Sequence, residues 1–136
     1  MRTYLVTGAA GFIGANFIKY LLDKKYKNED IKVIILDALT YAGNLGTIKD
    51  DIDNKRCVFV KGDIRDRELA DKLFTENDID YLVNFAAESH VDRSITNPME
   101  FVTTNVIGTV TLLNAFKTHC NKETAVFYHV STDEVY

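Results

Sequence analysis

"TGAAGFIG", residues Thr7 to Gly14, decides how the rest of the chain is read. The short apolar run "TYLVT" (Thr3–Thr7) precedes it. "FIGANFIKYLLDK" follows, with Phe12, Ile13, Phe17, Leu21 and Leu22 near helical spacing. Three glycines, Gly8, Gly11 and Gly14, therefore fall between a strand and a helix. In such a loop the first glycine permits the tight turn, the second lets backbone approach a pyrophosphate, and the third lets the helix pack close to the strand. The helix N-terminus offers N–H groups and the positive end of its dipole to phosphates. A glycine pattern alone is weak, because a tight strand-to-helix turn with no ligand has the same spacing. Asp37 strengthens it. This acid ends the next apolar run, roughly 20 residues further on, where an acid bonds ribose hydroxyls. It would repel a 2′-phosphate, so the pattern favours NAD over NADP.

Outward from this loop, apolar runs alternate with helical patterns. Ile31–Asp37, Cys57–Asp63, Tyr81–Ala87 and "AVFYHVS" (Ala125–Ser131) read as further strands. Asp66–Glu76 reads as a short amphipathic helix with Leu69, Leu73 and Phe74 on one face. A long helix starts at Asn97-Pro98, where proline suits the first turn, and runs to about His119. The stretch from Ala38 to Arg56 is irregular and is expected to hold a loop and a short helical piece. Strands that are near-continuous apolar runs and alternate with helices imply right-handed crossovers and a parallel sheet covered on both faces. The expected fold class is α/β, a Rossmann-type doubly wound parallel sheet with helices on both faces, forming one dinucleotide-binding domain over residues 1–136.

In such sheets ligands lie over the carboxyl ends of the strands. Asp63-Ile64, at the end of the third strand, could flank an adenine. Asp63 could equally cap the helix that follows. Phe85, Ala86 and Ala87 end the fourth strand, where small residues let backbone pass close to a cofactor, or simply pack tightly.

The composition bounds the alternatives. The 136 residues are 46% hydrophobic and 26% charged, enough apolar material for one core and unlike a disordered chain. A net charge of −4 lacks the footprint of a nucleic-acid binder. The basic cluster Lys24–Lys27 is met at once by Glu29 and Asp30 and reads as a solvated helix end. No run is long and apolar enough for a membrane span, and no signal peptide is recognisable. Cys57 and Cys120 match no metal or redox spacing, and His90, His119 and His129 are scattered. A cytoplasmic protein without metal, with both cysteines reduced, is expected.

Several segments together carry a specific resemblance: "TGAAGFIG", "DALTYAGN" (Asp37–Asn44), "GDI" (Gly62–Ile64), "AAESHVDRSI" (Ala86–Ile95), "TN" (Thr104-Asn105) and "STDEVY" (Ser131–Tyr136). The chain resembles the first half of the extended short-chain dehydrogenase/reductases, and more narrowly the dTDP-glucose 4,6-dehydratases. The resemblance implies NAD as cofactor and a nucleotide-sugar substrate. It implies oxidation at C4 of the sugar, loss of water across C5 and C6, and return of the hydride to C6. It adds Ala38, Leu39, Thr40 and Thr104 to the cofactor site. It makes Asp133 the acid and Glu134 the base, places Thr132 on the C4 oxygen and sets Ser89 against substrate or cofactor. Without the resemblance, "TDE" reads as a solvated loop after a strand. The crowded turn "ESHVDRS" reads as a charged loop at the crevice rim, and His90 is not expected to be catalytic.

The family carries a Tyr-x-x-x-Lys pair further along, past the fifth strand; none follows there in these residues, since Tyr136 has no lysine after it. The chain is thus expected to be the cofactor part of a longer enzyme, cut after its fifth strand and inactive alone. The apolar fifth strand supports this, because bare apolar edges are an aggregation liability. Phe101, Val102, Val106, Ile107, Val110, Leu113 and Phe116 make the long helix apolar over more than one face, which suggests a homodimer. Two other functions remain open. A 4-epimerase of the same superfamily would share the cofactor site but has no use for Asp133-Glu134. A non-catalytic NAD-binding fragment would lack turnover.

Overall fold

The structure, a computed structural model, describes residues 1–25, 30–39, 45–86, 95–120 and 123–131. The described residues form a five-stranded parallel sheet in the order β3-β2-β1-β4-β5. The strands are β1 (Arg2–Thr7), β2 (Ile31–Asp37), β3 (Val58–Lys61), β4 (Tyr81–Asn84) and β5 (Val126–His129). The helices are α1 (Phe12–Tyr20), α2 (Lys49–Asp53), α3 (Arg67–Glu76), α4 (Pro98–Val102) and α5 (Thr109–His119). A five-residue π-helical segment, Leu21–Lys25, continues α1. Another, Thr103–Gly108, joins α4 to α5.

The expected elements are present, with shorter strands. β3 ends at Lys61 and β4 at Asn84, so Asp63, Ile64, Phe85 and Ala86 lie just beyond the sheet rather than in it. β2 buries Val33 to Leu36 without a break, as a strand covered on both faces must. The irregular stretch after β2 holds a 3₁₀ turn, Leu45–Thr47, and α2.

Each face of the sheet has its own core. On one face, Val6, Val33 and Ile35 pack with Ala15, Ile18, Leu21 and Leu22 of α1 and its continuation. On the other, Leu5, Ile34, Leu36 and Leu82 pack with Ala70, Leu73 and Phe74 of α3 and Leu112 and Ala115 of α5. Each fully buried aliphatic side chain stabilises the fold by roughly 1.5–3 kcal/mol. α1 lies on the first face and α3 and α5 on the second. The chain runs from β1 to β2 and β3 in one direction, then crosses to β4 and β5 on the other side of β1. The reversal puts the topological switch point between β1 and β4, where such sheets open a ligand crevice.

β5 is an outer strand, as expected. Phe127 packs edge-on against Phe116, with ring centroids 5.6 Å apart, while Val126 and Tyr128 on the opposite face stay 43% and 61% exposed. No helix of the described residues is long and apolar enough to cross a membrane.

Candidate functional site

The glycine loop sits at the switch point. Gly8 has φ +70°, a conformation that favours glycine, and its N–H donates to the Leu36 carbonyl at 3.0 Å. A Cβ on Gly8 would stand 2.5 Å from Ala86 N and 2.6 Å from Phe85 C. A Cβ on Gly14 would meet the Gly8 carbonyl oxygen and stand 2.8 Å from Ala9 Cα. These two glycines are required by the protein's own packing. Gly11 differs. A Cβ there would meet nothing nearer than the Gly8 oxygen at 3.4 Å, and its backbone is extended, with φ −75° and ψ 171°.

Gly11 is the N-cap of α1 and gives no side-chain cap, and the first turn carries no acid. The first-turn N–H groups have no intrahelical acceptor in such a helix. Phe12 and Ile13 are 85% and 64% exposed at this mouth. The loop is therefore open, donor-rich and positive on its outer side, which suits a diphosphate.

Asp37 joins the glycine loop to the end of β2. Its Oδ2 accepts from Ala10 N–H at 2.9 Å, and its Oδ1 from Leu39 N–H at 2.7 Å. Each oxygen keeps a further lone pair for a hydroxyl. Leu39 adopts φ 55°, a left-handed conformation, and the bond from Asp37 holds it there. The Gly62 N–H donates to the Asp37 carbonyl at 3.0 Å, which ties the end of β3 alongside.

Asp63 does not cap the next helix. That role falls to Asp66, whose side chain accepts from Leu69 N–H at 3.1 Å. Asp63 is instead gripped by Arg65, with Nη2 to Oδ2 at 2.6 Å, Nε to both oxygens at 3.0 Å and the Arg65 N–H to Oδ1 at 2.9 Å. The hydrogen bonds from the Arg65 side chain hold the Asp63 carboxyl below the usual carboxylate range. Ile64 is buried against Gly108, where an added Cβ would stand 2.5 Å from Ile64 Cδ1. Thr104 lies in the same π-helical segment as Gly108 and is partly buried.

The far wall is built from the ends of β4 and β5. Phe85 N–H donates to the Thr7 carbonyl at 3.0 Å, and the Phe85 ring packs against Phe17 of α1. Asn84 is fully buried, and its Oδ1 accepts from Ala86 N–H at 3.2 Å and from the Thr7 hydroxyl. A backbone N–H can only donate, so the amide oxygen faces Ala86. The amide nitrogen then donates to His129 Nδ1, 3.1 Å away. His129 must accept there, which leaves its proton on Nε2.

Thus Gly8, Gly11, Phe12, Ile13, Gly14, Asp37, Ala38, Leu39, Asp63, Ile64, Phe85, Ala86 and Thr104 fall within the described residues; all but Thr104, which lies on the π-helical segment, belong to the glycine loop and α1 start or to the carboxyl ends of β2, β3 and β4, on one edge of the parallel sheet. Thr40, Ala87, Ser89, Thr132, Asp133 and Glu134 lie outside the described residues. Arg65 and Asn84 went unread from sequence, and His129 was read only as one of three scattered histidines. The signal for Asn84 was a lone amide inside the apolar run "YLVNFAA", and its pairing with His129 needs the strand register. Among the described residues, no group of three His, Cys, Asp or Glu could hold a metal.

The family described as GDP-mannose 4,6 dehydratase matches residues 5–136. The low-salt glycan biosynthesis protein Agl12 of Haloferax volcanii is 54% identical over 97% of this chain and 40% of its own length. A dTDP-glucose 4,6-dehydratase of Xanthomonas campestris is 49% identical, over 100% of this chain and 39% of its own. The solved dTDP-glucose 4,6-dehydratase of Bacillus anthracis, in complex with NAD, superposes with a TM-score of 0.81 at 44% identity, covering 100% of this chain and 39% of that one. The chain spans about two fifths of the length of these relatives.

Proposed function

Because the chain belongs to the GDP-mannose 4,6 dehydratase family, we propose that it is the NAD-binding Rossmann domain of a nucleotide-sugar 4,6-dehydratase acting on dTDP-glucose. The observation that carries the cofactor reading is the contrast among the glycines. Gly8 and Gly14 are small for the protein's sake, whereas a Cβ on Gly11 would meet nothing nearer than the Gly8 oxygen at 3.4 Å, which leaves room there that a diphosphate could use. With Asp37 at ribose distance from this loop by topology, a dinucleotide with a free 2′-hydroxyl fits. The substrate reading rests on identity to the dehydratases and on "STDEVY".

Bound NAD supplies a carbon that takes a hydride and later gives it back. The chain's own residues hold the cofactor and move protons. Gly11, Phe12, Ile13 and Gly14 offer N–H groups to the diphosphate, Asp37 takes the ribose, and Ala38, Leu39 and Thr40 shape its edge. Asp63 and Ile64 flank the adenine. Phe85, Ala86, Ala87 and Thr104 line the remainder. Thr132 bonds the sugar's C4 oxygen, and Ser89 contacts the substrate. Oxidation at C4 would release a hydride to the cofactor and the hydroxyl proton to the tyrosine of the Tyr-x-x-x-Lys pair that the family carries further along, and with C4 a ketone the C5 proton is acidic. Glu134 takes that proton while Asp133 protonates the C6 hydroxyl, and water leaves. One group must be protonated and its neighbour ionised, so their surroundings must push their pKa values apart. The unsaturated sugar would then accept the hydride back at C6 and a proton at C5. The balance is loss of one water.

In this reading the enzyme is a homodimer in the cytoplasm; the exposed apolar residues of α4 and α5 support the first, and the want of a recognisable signal peptide or apolar span in the sequence supports the second. Calorimetric titration of NAD and NADP is the first test, with NAD expected to bind more tightly. Given dTDP-glucose, protein of the relatives' length should yield a product lighter by one water. A product of unchanged mass would point instead to a 4-epimerase. The 136 residues alone, with no Tyr-x-x-x-Lys pair past β5, should bind NAD without turnover.

A further inference from the structure

On the reading that the crevice holds NAD, we infer that Arg65 is a positioning residue. It fixes the Asp63 carboxylate so that the protein distinguishes adenine from purines lacking an amino group. The inference rests on the proposed cofactor but concerns a residue to which that proposal gives no role.

The topology locates the base. The glycine loop after β1 marks the phosphates, and Asp37 at the end of β2 marks the ribose. The next strand outward is β3, and the groups past its carboxyl end are Gly62, Asp63 and Ile64. Ile64 is 4% exposed and held by Gly108, so it provides a fixed apolar surface. The Asp63 side chain remains 36% exposed beside it and can reach a ligand.

Adenine presents an amino donor, and hypoxanthine presents an oxygen at the same place. An ionised carboxylate accepts the first and repels the second. A carboxylate at the rim of an apolar crevice could swing to solvent or take up a proton, and it would then lose this selectivity. Arg65 prevents both. Its fork bonds both Asp63 oxygens, and its backbone N–H adds a further bond to Oδ1. The same guanidinium reaches the opposite wall through Nη1, 3.0 Å from Thr103 Oγ1 and 3.5 Å from Glu100 Oε1. Thr103 begins the segment that carries Thr104 and Gly108. One planar side chain therefore sets the carboxylate's plane relative to both sides of the base position. Lysine could supply the charge but not the fork.

The test measures affinity by calorimetry for two probes, NAD and nicotinamide hypoxanthine dinucleotide, with thermal melts as a folding control. The unmutated protein should prefer NAD by roughly tenfold or more, the scale of a hydrogen bond to a charged group. Arg65→Met should weaken NAD by about tenfold and the hypoxanthine analogue by less than about twofold, so the preference collapses. Arg65→Lys should fall between. Asp63→Asn, whose amide can donate, should shift the preference toward the analogue. Should Arg65→Met fail to fold, Arg65→Lys and Asp63→Asn still decide. Equal losses for both probes would make Arg65 a staple between β3 and α4 and overturn the inference. So would the absence of any preference in the unmutated protein. Failure of the unmutated protein to bind NAD at all would instead overturn the cofactor reading.

Discussion

Gly8 and Gly11 look alike in sequence and differ in what they face. Gly8 combines φ +70° with backbone atoms of Phe85 and Ala86 inside van der Waals contact of any Cβ. Gly8→Ala should cost at least about 1–3 kcal/mol of stability and lower the melting temperature. Gly11→Ala meets no such obstacle and should cost about 0.5–1 kcal/mol, the difference between glycine and alanine in N-cap comparisons. It should nevertheless weaken NAD binding by roughly tenfold or more, through crowding of the diphosphate. Melting curves and NAD titrations of both variants check this pair. A Gly11→Ala protein that binds NAD normally would remove the basis for placing the diphosphate there. The glycine spacing was legible in sequence because it acts within one turn, and Asp37 because the acid falls at a known interval after it, at the end of the next apolar run. The identity of the atoms crowding Gly8 was not, because Ala86 reaches it only through the pairing of β1 with β4. The Asn84 amide was hidden for the same reason. Its partners Thr7 and His129 sit on two different strands.

The long helix was legible at both ends. Pro98 stands at its first turn, and Asn97 accepts from Glu100 N–H as its cap. Its interior was not. Thr103–Gly108, "TTNVIG", is poor helix-forming sequence and winds as a π-helical segment. Threonine hydroxyls there bond back to carbonyls one turn earlier, Thr103 to Met99 and Thr109 to Asn105. The outward stripe Val102, Val106, Val110 and Leu113 is 46% to 56% exposed. Covering each of these would contribute about 1 kcal/mol, half the value for full burial. Val106→Asp should therefore convert the proposed dimer to monomers at micromolar concentration, with little change in the far-ultraviolet circular dichroism. Sedimentation velocity reads the outcome, and unchanged sedimentation of the variant would argue against this face as the contact.

At the scale of the molecule, the first core closes over a buried charge and a thiol. Asp51, 2% exposed, pairs with Lys19 at 2.8 Å and Arg56 at 2.7 Å, tying α2 to α1. Cys57 is buried nearby, and burial first, with the Asp51 charge second, pushes its thiol up to about 11. A thiol that ionises later in the fold than in the unfolded chain favours the fold below the unfolded value. That contribution fades as pH rises from about 9 to about 11. Urea unfolding at a pH near 8 and near 10 should show this alkaline loss. Cys57→Ala should diminish it, whatever its own cost in packing. The sheet order has a further consequence, in time rather than in space. A ribosome delivers β1, β2 and β3 first, and these pair with one another without any later residue. The second edge of β1, and the Thr7 hydroxyl with it, must wait until the strand beginning at Tyr81 has left the exit tunnel. Until then β1 can have a pairing partner on one edge only. The crevice wall supplied by Phe85 and Ala86 is therefore synthesised well after Asp37 and the glycine loop that it faces.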